Sequence, residues 1–140
     1  AQTPTLGLHQ ARIARSGEEV TLICYGPMVD TCLEAAKEAS QEGRKLEVID
    51  VRSLSPLDMA TVYESVRRTT RAIVVQEAPR TQGVGAEIAA RLGEELYYVM
   101  EAPVLRVTGW STPYPPAKAE GEHIPDVDRI LDAVDRSLAF

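Results

Sequence analysis

Val20-Thr21-Leu22-Ile23-Cys24-Tyr25-Gly26-Pro27 decides the fold of this 140-residue chain. A nearly continuous apolar run of strand length stops at a Gly-Pro pair, the pattern of a strand buried on both faces of a parallel sheet. Downstream, Met28, Val29, Cys32, Leu33, Ala36 and Ala39 recur at helical spacing, and Gly43 stands where a C-terminal cap belongs. That predicts a helix to about Glu42. Leu46 to Val51 is the next strand. In Ser55-Pro56-Leu57-Asp58, a serine N-cap, a proline at the first helical position and an acid at the third predict a helix start. Met59, Val62, Tyr63 and Val66 form its apolar face, and it ends near Thr69.

Ala72-Ile73-Val74-Val75 reads as a third buried strand, and Ile88, Leu92 and Leu96 mark a helix beginning near Gly85. Val104 to Val107 is the last long strand. Residues 109–125 read as a loop, because Pro113, Pro115, Pro116 and Pro125 oppose helix and sheet ladder alike. Val127, Ile130, Leu131, Val134 and Leu138 share one face of a final helix, whose positive N-terminal end Asp126 and Asp128 favour. Upstream, residues 11–15 alternate weakly around Ile13, and residues 1–10 read as a flexible lead-in. An initial Ala without Met reads as a piece of a longer protein. Strands alternating with helices imply an α/β layered fold with a mainly parallel sheet, as one domain.

Composition narrows the function. Hydrophobic residues make up 44% and charged residues 26%, and Lys+Arg 15 against Asp+Glu 21 leaves a net charge of -6. An acidic chain is a poor partner for nucleic acid, and no apolar run approaches the ~20 residues of a membrane span or forms a signal peptide. Cys24 and Cys32 lie at no metal or redox spacing and read as reduced core thiols. His9 and His123 lack partners at ligand spacing and read as solvated surface histidines.

The most pointed stretch is Gln76-Glu77-Ala78-Pro79-Arg80-Thr81-Gln82-Gly83-Val84-Gly85. It leaves the carboxyl end of a central strand, where open α/β sheets place ligands, and enters a helix N-terminus. It fits a small-molecule site, a protein interface, or a plain turn with one Glu-Arg pair. Gly83 and Gly85 alone make neither a dinucleotide fingerprint nor a P-loop. Trp110, Tyr114 and their prolines form a patch that either anchors a partner or caps the core. Residues 120–140 carry six acids against Arg129 and Arg136, four of the six net negative charges. They form a solvated helix face or a docking surface for a basic partner.

Taken in order, Val20-Thr21-Leu22-Ile23-Cys24-Tyr25-Gly26, Val48-Ile49-Asp50-Val51-Arg52-Ser53-Leu54-Ser55-Pro56-Leu57-Asp58, Glu77-Ala78-Pro79-Arg80-Thr81, Gly85-Ala86-Glu87-Ile88, Glu101-Ala102-Pro103-Val104, Thr108-Gly109 and Thr112-Pro113-Tyr114-Pro115-Pro116 resemble one family. The chain is similar, from about residue 11 to 138, to the C-terminal, transketolase-C-like domain of the beta subunit of thiamine-diphosphate-dependent 2-oxo acid dehydrogenases. It departs from the usual pattern at Gln76 (commonly His), Gln82 (Gly), Ser111 (Asp) and His123 (Tyr).

The resemblance implies a three-layer α/β/α domain over residues 11–140, with a mainly parallel five-stranded sheet and one antiparallel edge strand around Ile13. It implies a role in oxidative decarboxylation of a branched-chain 2-oxo acid or pyruvate and acyl transfer to lipoyl groups, the Thr-Pro-Tyr-Pro-Pro segment leaning toward the branched-chain class. The partners implied are an alpha subunit, a second beta subunit across a two-fold axis, and the basic subunit-binding domain of a lipoyl acyltransferase, in the cytoplasm or, in a eukaryote, the mitochondrial matrix. Thiamine diphosphate and magnesium belong to the complete enzyme and are not expected on this piece, which is expected to be inactive alone, with no catalytic, cofactor-binding or metal residues. Gln76, Glu77, Arg80, Thr81, Gly83, Gly85, Trp110 and Tyr114 are candidate subunit-interface residues. Asp126, Asp128, Asp132, Asp135 and Phe140 are candidates for acyltransferase docking. Two other readings compete: a stand-alone acidic protein-binding module, and a small enzyme using the Glu77–Arg80 loop, which lacks a nucleophile-base pair or metal set.

Overall fold

The computed structural model describes residues 5–140. Its elements run β1 (Arg12–Arg15), β2 (Val20–Cys24), α1 (Met28–Gln41), β3 (Leu46–Asp50), α2 (Met59–Thr69), β4 (Ala72–Pro79), α3 (Val84–Leu96), β5 (Leu105–Gly109), α4 (Glu120–His123) and α5 (Val127–Leu138). The sheet order is β1-β3-β2-β4-β5, with β1 antiparallel to β3 and every other pair parallel. The expected antiparallel edge strand is therefore present, and the fold is the three-layer α/β/α arrangement.

Strand alternation distributes the core. Val20, Leu22, Cys24, Val48, Ile73 and Val75 pack toward α1 and α5, while Ile23, Ile49, Ala72 and Val74 pack toward α2 and α3. Each central strand is apolar on both faces because helices cover both. Cys24 and Cys32 are buried. A hydrogen bond with Cys32 and burial push the Cys24 thiol far above its ordinary range, and it donates to Ile49 O at 3.3 Å, so it is a packing thiol.

Below this frame sits a buried carboxylate. Glu47, 1% exposed, accepts from Gly17 N at 3.2 Å, from Arg68 Nη2 at 2.9 Å and from the Ser65 hydroxyl. Thr21 Oγ1 meets both Ser65 Oγ and Thr69 Oγ1 at 2.8 Å. The group is satisfied on every side, as a buried charge must be.

Four local expectations are corrected. The α2 helix starts at Met59 with Asp58, not Ser55, as N-cap. The Ser55-Pro56 bond is cis, and Leu54 bridges to Leu57, so these residues form a turn ahead of the helix. Asp58 accepts from Thr61 N at 3.2 Å and from Ala11 N at 2.9 Å, joining the α2 start to the chain before β1. Strand β4 runs on to Pro79 rather than stopping at Val75, because Gly109 pairs with Pro79 after a register shift. The segment 109–125 is not all loop. A 3-10 turn at Ala117–Ala119 and α4 occupy its proline-free interval, capped by the extended Pro116. His123 is buried at 4% exposure instead of solvated, because α4 folds it back beside Gly109 and against Tyr114.

Of the expected flexible lead-in, residues 1–4 lie outside the described residues. Beyond them, Arg52 Nη1 donates to Gln10 O at 2.8 Å and His9 Nδ1 lies 3.2 Å from Ser53 Oγ.

Candidate interface at the carboxyl end of the sheet

Gln76 organises this end. It is fully buried, and its Oε1 accepts from Gly85 N at 2.8 Å and from the Tyr25 hydroxyl at 3.4 Å. Its Nε2 donates to Pro79 O at 3.2 Å and Ala78 O at 3.4 Å. Glycine is required opposite it. A Cβ on Gly83 would lie 2.7 Å from Gln76 Nε2, and one on Gly85 2.6 Å from Oε1. Gly83 also has φ 137°, a backbone that L side chains rarely adopt. Of the residues predicted for a subunit interface, Gln76 and Gly85 are thus spent inside the chain, and shape the loop that Glu77, Arg80, Thr81 and Gly83 form.

That loop is tied to the segment after β5. Thr81 Oγ1 meets Ser111 Oγ at 2.8 Å, and Thr81 N donates to the same hydroxyl at 3.3 Å. Arg80 Nη1 donates to Arg106 O at 3.3 Å, while Arg106 Nη1 donates to Arg80 O at 2.8 Å. Gly109 allows the close approach, since a Cβ there would sit 2.2 Å from Glu77 O. The tertiary structure therefore brings together residues that lie some thirty positions apart in sequence.

Trp110 and Tyr114 each pack partly on the chain's own loop and α4 while staying more than half exposed. Trp110 Nε1 donates to Glu122 O at 3.0 Å and its ring lies 4.6 Å from the Arg129 guanidinium carbon, yet Trp110 stays 55% exposed. Tyr114 is 59% exposed, packs edge-on to His123 with ring centres 5.1 Å apart, and hydrogen-bonds Glu120. That carboxylate bond pushes the Tyr114 phenol up to about 12. Burial, with Glu77 nearby, also raises the Tyr25 phenol.

The predicted docking acids separate into two groups. Asp126, Asp128 and Asp132 line a groove of about 460 Å³ together with Arg80, Arg106 and Arg129. Asp126 also caps α5 by accepting from Arg129 N at 2.8 Å, and Asp132 pairs with Arg136 at 3.1 Å. Asp135 faces a different groove beside Glu38 and Glu42. Phe140 is exposed. Arg106, Ser111, Glu120 and Arg129 complete this end, and sequence reasoning missed them because nothing in a strand or polar loop marks which side chain meets a distant segment.

Among the described residues no three His, Cys, Asp or Glu side chains converge as metal ligands, and no helix is long and apolar enough to cross a membrane. Within the loop, Pro79 O accepts from Gln76, Arg80 O accepts from Arg106, and Thr81 N donates to Ser111.

Residues 9–130 match the family described as transketolase, C-terminal domain. The chain is 54% identical over 135 residues to a pyruvate dehydrogenase E1 component subunit beta of Leifsonia xyli, covering 96% of this chain and 40% of that protein. It is 49% identical over 136 residues to a 3-methyl-2-oxobutanoate dehydrogenase subunit beta of Mycobacterium tuberculosis, covering 96% and 38%. The chain thus spans about two-fifths of the length of these relatives. Among solved structures, a split-gene transketolase described as an inactive beta4 tetramer superposes with a TM-score of 0.82 at 28% identity, over 96% of this chain and 43% of that one. A match across 122 of the 140 residues, on a fold of the strand order just described, leaves one conclusion: the chain belongs to the transketolase C-terminal domain family.

Proposed function

We propose that this chain is the C-terminal assembly domain of the beta subunit of a thiamine-diphosphate-dependent 2-oxo acid dehydrogenase. The observation that carries this reading is similarity along 96% of the chain to beta subunits of pyruvate and 3-methyl-2-oxobutanoate dehydrogenases. In that role the domain holds no catalytic residue. Its loop end, built from Gln76 to Gly85 and Trp110 to Tyr114, contacts the alpha subunit and a second beta subunit. The aspartates of α5, with Phe140, receive a basic subunit-binding domain of a lipoyl acyltransferase, steered by charge from a distance. Thiamine diphosphate and magnesium are held by other parts of the complete component, which works in the cytoplasm or the mitochondrial matrix.

The test is to co-express the full-length subunit carrying this domain with its alpha partner, and to measure thiamine- and magnesium-dependent decarboxylation of pyruvate and of 3-methyl-2-oxobutanoate. Turnover of one of them by the assembly, and none by the 140-residue chain, is the expected result. An assembly inactive on both, or turnover by the domain alone, overturns the reading. Binding of basic domains by the 140 residues without any alpha partner in solution would instead favour a stand-alone acidic module.

A further inference from the structure

One groove is lined by three guanidinium groups, Arg80 from the loop after β4, Arg106 from β5 and Arg129 from α5, that no carboxylate of the described residues approaches within 4.0 Å. Six other arginines, at positions 12, 44, 67, 68, 91 and 136, each pair with an acid. Arg80 and Arg106 instead hold each other, each donating one Nη1–H to the other's carbonyl. From α5, Arg129 Nη2 donates to Thr108 O at 2.7 Å, while its Nη1 is buried without a partner. Arg15, Arg52 and Arg71 also lack an acid within 4.0 Å, so what sets Arg80 and Arg106 apart is that they are held to each other in one groove. Two like charges held side by side repel unless an anion joins them, and each guanidinium has five donors of which these bonds use one.

We infer that the Arg80–Arg106 pair seats a single carboxylate side chain of a protein partner bound in the groove between β5 and α5. The groove itself argues for a protein-borne carboxylate over a free anion. Helix α5 lines it with Asp126, Asp128 and Asp132 together with Arg129 and Arg136, a mixed set of charges that suits a peptide carrying both signs better than a free polyanion. A glutamate or aspartate delivered on a chain places one negative charge at the arginine end, while basic neighbours meet the aspartates. Trp110, half-exposed at the rim, supplies the aromatic anchor typical of such contacts. Arg106 is only partly exposed, and burial together with Arg80 holds its pKa below the ordinary value, consistent with a site waiting for a counter-charge. The proposal rests on the interface reading above and specifies its chemistry: an acidic residue flanked by basic ones.

The experiment titrates the 140-residue chain with a blocked Ala-Lys-Glu-Lys-Ala peptide, following the Arg80 and Arg106 Nε–H resonances by NMR. A matched peptide with Gln for Glu, and inorganic phosphate, serve as controls. Saturable shifts with the Glu peptide, at least tenfold weaker with either control and lost in Arg106→Gln, are expected. The unchanged amide spectrum of that variant shows that it is folded. Equal binding of the Gln peptide, stronger binding of phosphate, or no saturable shift overturns the proposal. A second arm places Arg106→Glu, with Arg106→Lys as the conservative control, in the full-length subunit and measures dissociation from its partners by sedimentation. At least tenfold weaker assembly for Glu, and near-normal assembly for Lys, supports the carboxylate contact. If the peptide binds and assembly is unaffected, the interface reading fails and the carboxylate seat stands.

Discussion

The side-chain carbonyl of Gln76 accepts the backbone N–H of Gly85 at 2.8 Å, across nine residues, so one buried amide at the end of β4 sets the start of α3. Gln76 Oε1 and Nε2 together meet four chain groups. Gln76→Ala leaves these without partners and opens a cavity, and is expected to destabilise by about 2–3 kcal/mol. Gly85→Ala, which forces a Cβ to 2.6 Å from Oε1 and 3.2 Å from Val74 Cγ1, should cost about 1–3 kcal/mol. Urea denaturation of both variants checks this, and a Gly85→Ala protein as stable as the parent would contradict the packing described.

The Asp58 side chain gives a pH-dependent prediction. Burial alone would raise its pKa, but bonds from Thr61 Oγ1, Ala11 N and Thr61 N overcome that and hold it below 3.8. A carboxylate depressed in the folded state contributes stability above its unfolded pKa, and loses it as pH falls through the folded one. Asp58→Asn should therefore destabilise by about 1 kcal/mol near neutral pH and by less near pH 3. Equal losses at both pH values, measured by denaturant melts, would show that the charge is irrelevant.

Glu47 is the polar centre of the lower sheet. Glu47→Ala strips partners from Ser65 and Gly17 N while releasing the half-exposed Arg68 to solvent. A loss of about 2–3 kcal/mol is expected from the unsatisfied Gly17 amide, the lost Ser65 bond and the cavity, although Ser65 keeps its contact with Thr21. Arg68→Ala should cost more than a surface pair, because it leaves the carboxylate buried and less compensated. Thermal unfolding of the two variants ranks them.

The hydrogen bond to Glu120 pushes the Tyr114 phenol up to about 12. Glu120→Gln removes the carboxylate and should bring the phenol back toward 10.0, resolved from the other tyrosines by ring-selective NMR. No change on substitution would mean that the Tyr114–Glu120 bond is absent in solution.

Asp128→Asn with Asp132→Asn removes two of the acids facing the α5 groove. If this helix receives a basic domain, the association rate should fall several-fold at low salt and converge with the parent as salt rises. Asp135→Asn, on the separate groove with Glu38 and Glu42, is expected to have the smaller effect. Stopped-flow mixing across a salt series distinguishes the three.

The layered α/β fold was legible because every central strand is a short apolar run and every long helix carries a 3.6-residue stripe, both local patterns. The β1 edge and its antiparallel sense followed from the family resemblance. At the candidate site, the sequence marked Gln76 to Gly85, Trp110 and Tyr114 through glycines, prolines and position after a strand. It also marked the aspartates of α5 by charge density. The reach of β4 to Pro79 and the burial of His123 were not legible, because each depends on pairing with another segment, Gly109 and Tyr114 with Gly109, respectively, whereas the helix start at Asp58 is a local cap on Thr61 N that the Ser55-Pro56 signal outweighed.

Periodicity and charge, which a chain carries residue by residue, thus determined the elements and the layers. Pairing was decided only in three dimensions. Whether Gln76 faces a partner or its own loop, whether Arg80 meets an acid or Arg106, and which aspartates share a groove with them are set by strand order and register. Placing β5 beside β4 brings residue 106 to residue 80, and no local pattern encodes that distance.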